Sequence, residues 1–445
     1  MRRGAYMPRE ELVMVCCSDI AGQTRGKGFP VKLLEARRGR GVGWTGTNIM
    51  ITGHGPIADS PFGSFGDLIL RPDLDTHVRV DFDDDETAPE QFVLADICNT
   101  DGSPWACCPR NFLRRGLEAL REEAGLLLKA SFEHEFHYDG VEERANSAYN
   151  LDAYRRQDSF AETFLYALAR AGLEPDTFMP EYGPCQYEVT VEPSLGLRAA
   201  DNAVILRELA RATAWRLGAR ASFTPILRPD AVGNGVHLHF SFLDAETREP
   251  VGYDPARPHG ISARMGSFAA GILEKMPALT ALTAAATISY LRLVPHRWSA
   301  SYNNLGLQDR EAGLRRAPIF ETGGTAPAQQ FNLEYRAGDA AASPYLFLGA
   351  LVWAGLGGLR RALATPEATE ADPSAFSEEE LKRRGLVRLP QSLGAALDAL
   401  AGDDELGEAM GPALFEAYLK HKRFENELLS ELSPEAQCER YRLVY

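Results

Sequence analysis

The segment Ser131-Phe132-Glu133-His134-Glu135-Phe136-His137 constrains this chain more than any other. It reads as a strand over 129–137. Side chains alternate across a strand, so Glu133 and Glu135 share one face, about 7 Å apart. Two carboxylates so placed are costly unless a cation lies between or beside them. The plainer reading is a charged strand face left in water.

Three further units carry the same chemistry. Glu181-Tyr-Gly-Pro-Cys-Gln-Tyr-Glu188 holds two acids around a Gly-Pro, which forces a turn and can return both to one place. Gly233-Asn-Gly-Val-His237-Leu-His239-Phe-Ser241 puts two histidines on one strand face, and Asn332-Leu-Glu334-Tyr-Arg336 does the same for a glutamate and an arginine. Arg292, Arg310, Arg315 and Arg336 cluster late in the chain, and guanidinium groups suit phosphate and carboxylate. Singly, each unit also reads as a structural histidine pair or an ion-paired arginine. Together, five carboxylates and a histidine suit magnesium or manganese rather than zinc. With the arginines added, the set points to metal-assisted phosphoryl transfer.

The rest of the chain fits a large globular protein of two to four domains: 445 residues, 45% of them apolar. Acids outnumber bases 62 to 47, which excludes a broad nucleic-acid-binding surface. The opening Met-Arg-Arg-Gly-Ala-Tyr-Met has no apolar stretch behind it, so no secretory signal is expected. The uncharged stretch 340–359 holds Ser343, Pro344 and four glycines, and reads as a buried core helix rather than a membrane span. The seven cysteines form no C-x-x-C and read as reduced thiols of a cytoplasmic protein. Strands are expected at 12–20, 29–31, 68–70, 78–80 and 92–97, with a turn over 22–28 and a solvated acidic loop at 81–86. A helix over 109–128 opens the second domain. Strands follow at 186–191, 236–242 and 330–335, and helices at 159–171, 203–217 and 267–290, the last broken at Pro277. Residues 362–380 are expected to form an exposed loop.

In order, Glu-x-Glu-Phe, Glu-x-Gly-Pro-x-Gln-x-Glu, Gly-x-His-x-His-x-Ser, Asp-Arg-x4-Arg and Glu-x-Arg resemble glutamine synthetase, from about Val13 to the end of the chain. Ala199-Ala-Asp-Asn, Gly271-Ile-Leu, Ser289-Tyr-Leu-Arg-Leu-Val-Pro and Ser343-Pro-Tyr-Leu match the framing motifs. The resemblance implies an α+β fold. A small N-terminal β-grasp domain would span 1–105, and a catalytic domain with a curved antiparallel sheet and helices would span 106–445. It also implies ATP, two to three magnesium or manganese ions, and a homo-oligomeric ring, commonly a dodecamer of two stacked hexamers, with each site shared between neighbours. The partners are an amine and a glutamate-like acid, with no nucleic acid and no membrane. By position, Glu135, Glu181 and Glu188 match the ligands of one metal, and Glu133, His237 and Glu334 those of the other. Arg292 and Arg336 match arginines that hold the substrate carboxylate, with Gly233 among the substrate contacts. Arg310 and Arg315 match those at the γ-phosphate and the phosphoryl transition state, and His239 and Ser241 match nucleotide contacts. The implied reaction phosphorylates a carboxylate, because phosphate leaves and hydroxide does not. An amine then attacks the acyl phosphate.

Three departures bear on the substrate. Glutamine synthetases carry an aspartate that helps bind ammonium where Thr45 stands here, and a flap glutamate where Trp298 stands, six residues after Arg292. A Thr/Trp pair does not replace two anions, whereas a tryptophan offers an apolar wall or a cation–π face. This is similar to the γ-glutamylamide synthetase branch, in which an organic amine replaces ammonia. An asparagine that usually contacts glutamate is Val232, which leaves the acid open between glutamate and a close analogue. The alternatives are glutamine synthesis with an altered ammonium site and a catalytically silent structural relative. The segment 362–380 has no tyrosine, so the nucleotidylation known in some relatives is not expected.

Overall fold

The computed structural model describes residues 10–82, 87–157 and 159–445. The opening heptapeptide and most of the expected acidic loop, 83–86, lie outside them. Near the N-terminus come β1 (Leu12–Ser18), β2 (Thr24–Pro30), α1 (Leu34–Arg40), β3 (Val42–Thr45), β4 (Asp67–Pro72), β5 (Val78–Val80) and β6 (Glu90–Asn99). They form a sheet in the order β2-β1-β6-β4-β3, with β5 also on β6. β1 runs parallel to β6, and the other pairs are antiparallel. The turn expected over 22–28 is mostly strand: β2 pairs with β1 from Ser18↔Thr24 to Leu12↔Pro30. The turn itself closes earlier, where Asp19 Oδ1 accepts the Gln23 N–H at 2.9 Å. An edge strand has only one neighbour, so it needs few apolar side chains, and its glycines mimic a turn signal.

The larger part contains α2 (Pro109–Ala124), β7 (Leu126–Tyr138), α3 (Leu151–Arg156), α4 (Ser159–Arg170), β8 (Pro175–Pro180), β9 (Gln186–Val191), β10 (Ser194–Leu195), α5 (Leu197–Arg216), β11 (Ala221–Ser222) and β12 (Val236–Asp244). It continues through α6 (Ala263–Thr283), β13 (Leu305–Gly306), β14 (Leu314–Arg316), α7 (Pro327–Gln330), β15 (Leu333–Tyr335), α8 (Pro344–Arg360), β16 (Ala368–Thr369) and α9 (Glu378–Arg384). Helices at Leu393–Ala401, Asp404–Met410, Pro412–Leu429 and Pro434–Arg442 follow. The sheet order is β16-β13-β14-β15-β12-β7-β9-β8, with β10 and β11 also on β7.

β7 is central and alternates buried and half-buried along its length. Its inward face packs on the helices. Phe132 meets Phe347 of α8 edge-on at 5.4 Å, and Phe136 packs on Phe160 and Phe164 of α4 at 5.9 and 6.2 Å. Each such ring contributes roughly 2–3 kcal/mol on burial. His134 shares this face. Burial pushes it down to about 3, so it sits there neutral, with Nδ1 3.2 Å from the Phe132 carbonyl. The expected helix over 109–128 stops at Ala124, because the period changes from helical to alternating at Leu126.

Pro277 does not break its helix; α6 runs through it to Thr283. The carbonyl of Leu273, which the missing proline N–H would have satisfied, accepts from Asn303 Nδ2 at 3.1 Å. α6 also lies very close to α8. A Cβ on Gly271 would fall 2.2 Å from the Ala354 carbonyl oxygen, and one on Gly358 would fall 2.1 Å from that of Ser267. After Thr283 a short 3₁₀ turn, Thr287–Leu291, leads to Arg292, so the expected helical end at 290 is overturned. The strand expected over 330–335 is only Leu333–Tyr335, preceded by α7. Part of the loop expected at 362–380 is tied down. β16 pairs with β13, and the buried Thr369 hydroxyl accepts from Asn304 Nδ2 at 2.8 Å. Among the described residues no helix is long and apolar enough to cross a membrane, and all seven cysteines are buried free thiols.

One charge cluster joins the two parts. Arg110 donates to both oxygens of Asp201 at 2.9 Å, to Asp96 at 3.0 Å and to Asp73 at 2.7 Å. Arg114 reaches Asp96 at 2.9 Å and Arg71 approaches it at 3.9 Å, while the Tyr345 hydroxyl donates to Asp201 at 2.6 Å.

Candidate active site

Strand register assembles the outward face of β7. Its pairing with β12 sets Glu133 opposite His237, and its pairing with β9 sets Glu135 opposite Glu188. β15 pairs with β12, setting Glu334 opposite His239, and β14 then sets Arg315 opposite Glu334. Residues 201 positions apart in sequence, Glu133 and Glu334, thus meet around two histidines. A one-residue slip would turn every one of these side chains to the helix layer, so the buried alternation of β7 fixes the site.

The distances are short. His237 Nδ1 lies 3.0 Å from Glu133 and 3.8 Å from Glu334, and its Nε2 lies 3.9 Å from Glu135. His239 Nε2 lies 3.5 Å from Glu133 and 3.9 Å from Glu334. Donor atoms of Glu133, Glu188 and His237 all fall within 4.8 Å of one another, and so do those of Glu133, His239 and Glu334. His239, which the resemblance places at the nucleotide, therefore also completes a donor group here. Such carboxylate-rich sets fit a hard divalent cation.

The electrostatics show an excess of acid. Burial pushes Glu135 up to about 8, with Glu181 and Glu133 adding to the rise against the Gly235 N–H. Burial and the neighbouring carboxylates raise Glu188 well above its ordinary value, and burial raises Glu181. Glu133 goes the other way: burial would raise it, but hydrogen bonds with His237 and His239 hold it well below. Glu334 is held at about 2, because Arg336, His239 and His237 outweigh its burial. His237 is lowered by burial and by Arg336, which keeps a lone pair available for a ligand role. Among the described residues no arginine or lysine reaches ion-pair distance of Glu133, Glu135, Glu181 or Glu188. A cation at these acids would relieve that repulsion.

The arginines form the opposite wall. Arg315 donates to Glu334 Oε2 at 2.8 Å, and Arg336 donates to Oε1. Arg292 is buried 3.8 Å from Asp339. Arg292 Nη1 and the Nε atoms of Arg315 and Arg336 are buried without a hydrogen-bond partner. Unsatisfied buried guanidinium donors are costly, and an anion in front of them would satisfy them. Arg310 is exposed, and its charge works against the rise that burial causes at Glu181. The Gly233 carbonyl accepts from Gln186 at 2.9 Å, beneath Arg292. Ser241 shares a cleft with Ser131, His239, Phe331 and Asn332.

Two positions stand apart. Thr45 lies on edge strand β3, paired with Asp67, and joins none of the contacts described for the catalytic strands. Val232 is exposed. Trp298 is 54% exposed, and its carbonyl faces Arg336 Nη2 at 3.5 Å.

Residue patterns alone miss several members. Gln186 donates to Glu135 at 3.2 Å and stands inside a quoted motif. Gly235 donates to Glu135 at 2.8 Å, and a Cβ there would fall 2.8 Å from Arg292 Nη2. Asn332 Oδ1 lies 2.9 Å from His239 Nδ1 and orients that ring. Tyr149 donates to Glu181 at 2.9 Å, and nothing in its sequence neighbourhood signals it.

Residues 106–441 match the glutamine synthetase catalytic domain, and residues 3–105 match the glutamine synthetase N-terminal domain. The chain is 33% identical to the gamma-glutamylpolyamine synthetase of Streptomyces coelicolor, over 97% of this chain and 93% of that one. It is 29% identical to the glutamine synthetase of Thermococcus kodakarensis, over 95% and 90%. A solved structure of a novel glutamine synthase homolog superposes with a TM-score of 0.91 at 41% identity, covering 99% of this chain and all of that one. A GmaS–ADP complex shares the fold, with a TM-score of 0.80 at 24% identity over 95% of each chain. Matched along nearly its whole length, this chain belongs to the glutamine synthetase family of ATP-dependent ligases.

Proposed function

We propose that the enzyme joins an organic amine to the γ-carboxyl of glutamate or a close analogue, through an acyl phosphate formed from ATP. The observation that carries this reading is Trp298, a half-exposed indole stacked on Tyr182, the residue after Glu181, where an ammonium site would place a carboxylate. The likeness to a gamma-glutamylpolyamine synthetase supports it. Arg292 and Arg336 hold the acid through their free donors. Arg310 and Arg315 stabilise charge on the phosphoryl group; losing one of them costs roughly 3–4 kcal/mol in the barrier, by analogy with a lost oxyanion donor. His239 and Ser241 face the nucleotide, and Gly233 the acid. Glu135, Glu181 and Glu188 would hold one divalent ion and Glu133, His237 and Glu334 another, with His239 beside them. Bound there, magnesium or manganese supplies charge neutralisation at phosphate oxygens.

Thr45 belongs to this reading as part of a site completed by a neighbouring copy. Its place on β3, apart from the catalytic strands, supports a shared site and thus a ring, which light scattering of the purified protein checks. Phosphate release from ATP with magnesium and glutamate tests the main reading across ammonium, alkylamines, polyamines, ethanolamine and anilines. Release that requires an organic amine is expected. Release with ammonium alone favours the second reading, glutamine synthesis, to which the relatives named glutamine synthetase point.

A further inference from the structure

Three large rings from separate parts of the chain meet around Tyr182, the residue after Glu181. Tyr182, in the turn between β8 and β9, stacks on Trp298 at 5.4 Å and 25°. Tyr149, in the loop before α3, meets Tyr182 edge-on at 5.4 Å and 84°. All three are about half exposed, at 56% for Tyr149, 47% for Tyr182 and 54% for Trp298. Core rings of this protein, such as Phe132 and Phe136, are almost fully buried. These three therefore stack on one another rather than under the core, and each keeps a face in the solvent.

Their backbone is held in place from two sides. Trp298 and His296 both adopt positive φ, 56° and 63°, and both donate their N–H to Glu311, at 2.7 and 2.8 Å. Tyr149 has a φ of 50°. Bulky residues enter this region only when the surroundings over-determine them. At the other end, Glu181 accepts from the Tyr149 hydroxyl at 2.9 Å and from the Tyr182 N–H at 3.1 Å. One carboxylate is thus fixed at the foot of an aromatic wall.

We infer that Tyr149, Tyr182 and Trp298 form the amine-selecting wall, taking the extended carbon chain of a primary amine whose nitrogen points to Glu181. The inference rests on the organic-amine reading and deepens it by naming the residues and the class. Ammonium has no apolar surface and gains nothing from three ring faces. An alkyl chain on them leaves water along its length, and the amine nitrogen meets the carboxylate. Glu311 is a positioning residue, since it acts on the wall only by shaping the loop that carries Trp298.

The test is an n-alkylamine series, from ethylamine to hexylamine, at saturating ATP, magnesium and glutamate. In the wild type kcat/KM rises about two- to fourfold per added methylene, about fourfold being the value for a fully buried CH₂. In Trp298→Ala and Tyr182→Ala this slope flattens, the amine KM rises at least about tenfold for the longest amines, and the KM values for glutamate and ATP stay within twofold. Tyr182→Phe keeps the ring and restores the slope, which separates ring contact from a folding defect. An unchanged slope in both alanine variants, with the wild type still preferring organic amines, overturns the wall and leaves the proposed reaction standing. Turnover confined to amines without an alkyl chain also overturns it. Turnover with ammonium alone overturns the proposed reaction instead.

Discussion

Arg110 and Glu133 each stand at the centre of a buried charge cluster, and the two clusters are built on opposite principles. Around Arg110 three arginines, Arg71, Arg110 and Arg114, face three aspartates, Asp73, Asp96 and Asp201. Nearly every donor of Arg110 has an acceptor within 3.0 Å. Around Glu133 five glutamates crowd together. Glu334 alone among them holds arginines, while Glu135 and Glu188 are pushed upward by burial and by their neighbours. A balanced cluster ties the small sheet to helices α2 and α5. An unbalanced one stores a demand for cations and anions that the chain does not meet itself. Charge balance, more than burial, separates the structural cluster from the functional one.

The contrast makes measurable predictions. Glu133→Ala or Glu334→Ala lowers ATP-dependent turnover by roughly 10³-fold, equivalent to about 4 kcal/mol of transition-state charge stabilisation. Glu133→Ala does so without lowering the melting temperature, whereas Glu334→Ala also strands Arg315 and Arg336 and lowers it. If Glu133→Ala also unfolds the protein, the comparison collapses. Arg110→Ala strands buried aspartates and costs about 3–5 kcal/mol of stability in a denaturant melt. Because Arg110 touches no group of the active site, kcat in the surviving folded fraction stays within about twofold. Magnesium raises the melting temperature of the wild type, by about 2.7 kcal/mol of linkage at a hundred times its dissociation constant. It does so weakly or not at all in Glu133→Ala, and as strongly as in the wild type in Asp73→Asn. The smallest effect is at low pH. Burial works against the Asp73 carboxylate, but the hydrogen bond and charge of Arg110 hold it below its ordinary 3.8. The folded value is lower than the unfolded one, so the stabilisation is complete above that unfolded value and fades as pH falls through the folded one. Asp73→Asn is therefore less stable than the wild type at about pH 6, and in a series of thermal melts the gap narrows as pH falls below 3.8.

Most of the acid-rich site was legible in the residues because it lies on strands whose period is two. Glu133, Glu135, His237 and His239 follow from alternation alone, and the register then delivers Glu188, Glu334 and Arg315 to them. What alternation does not show is tertiary approach. Tyr149 and Tyr182 acquire their role only when a loop, a hairpin turn and the segment after Arg292 converge. The fold has the same boundary of legibility. β2 hid behind glycines that an edge strand tolerates, and Leu126–Leu128 looked helical until the neighbouring strands gave them a face. Pro277 read as a break because the amide that rescues it, Asn303, comes from 26 residues further on.

The crossing of α6 and α8 at Gly271 and Gly358 has a mechanical consequence. Where two helices meet backbone to backbone, no side chain can rotate to let one slide past the other. The layer behind the sheet then behaves as a rigid plate, and β7 with its acids is riveted to it through Phe132 and Phe347. The spacing of Glu133 and Glu135 along β7 is thus set by a backing that does not yield.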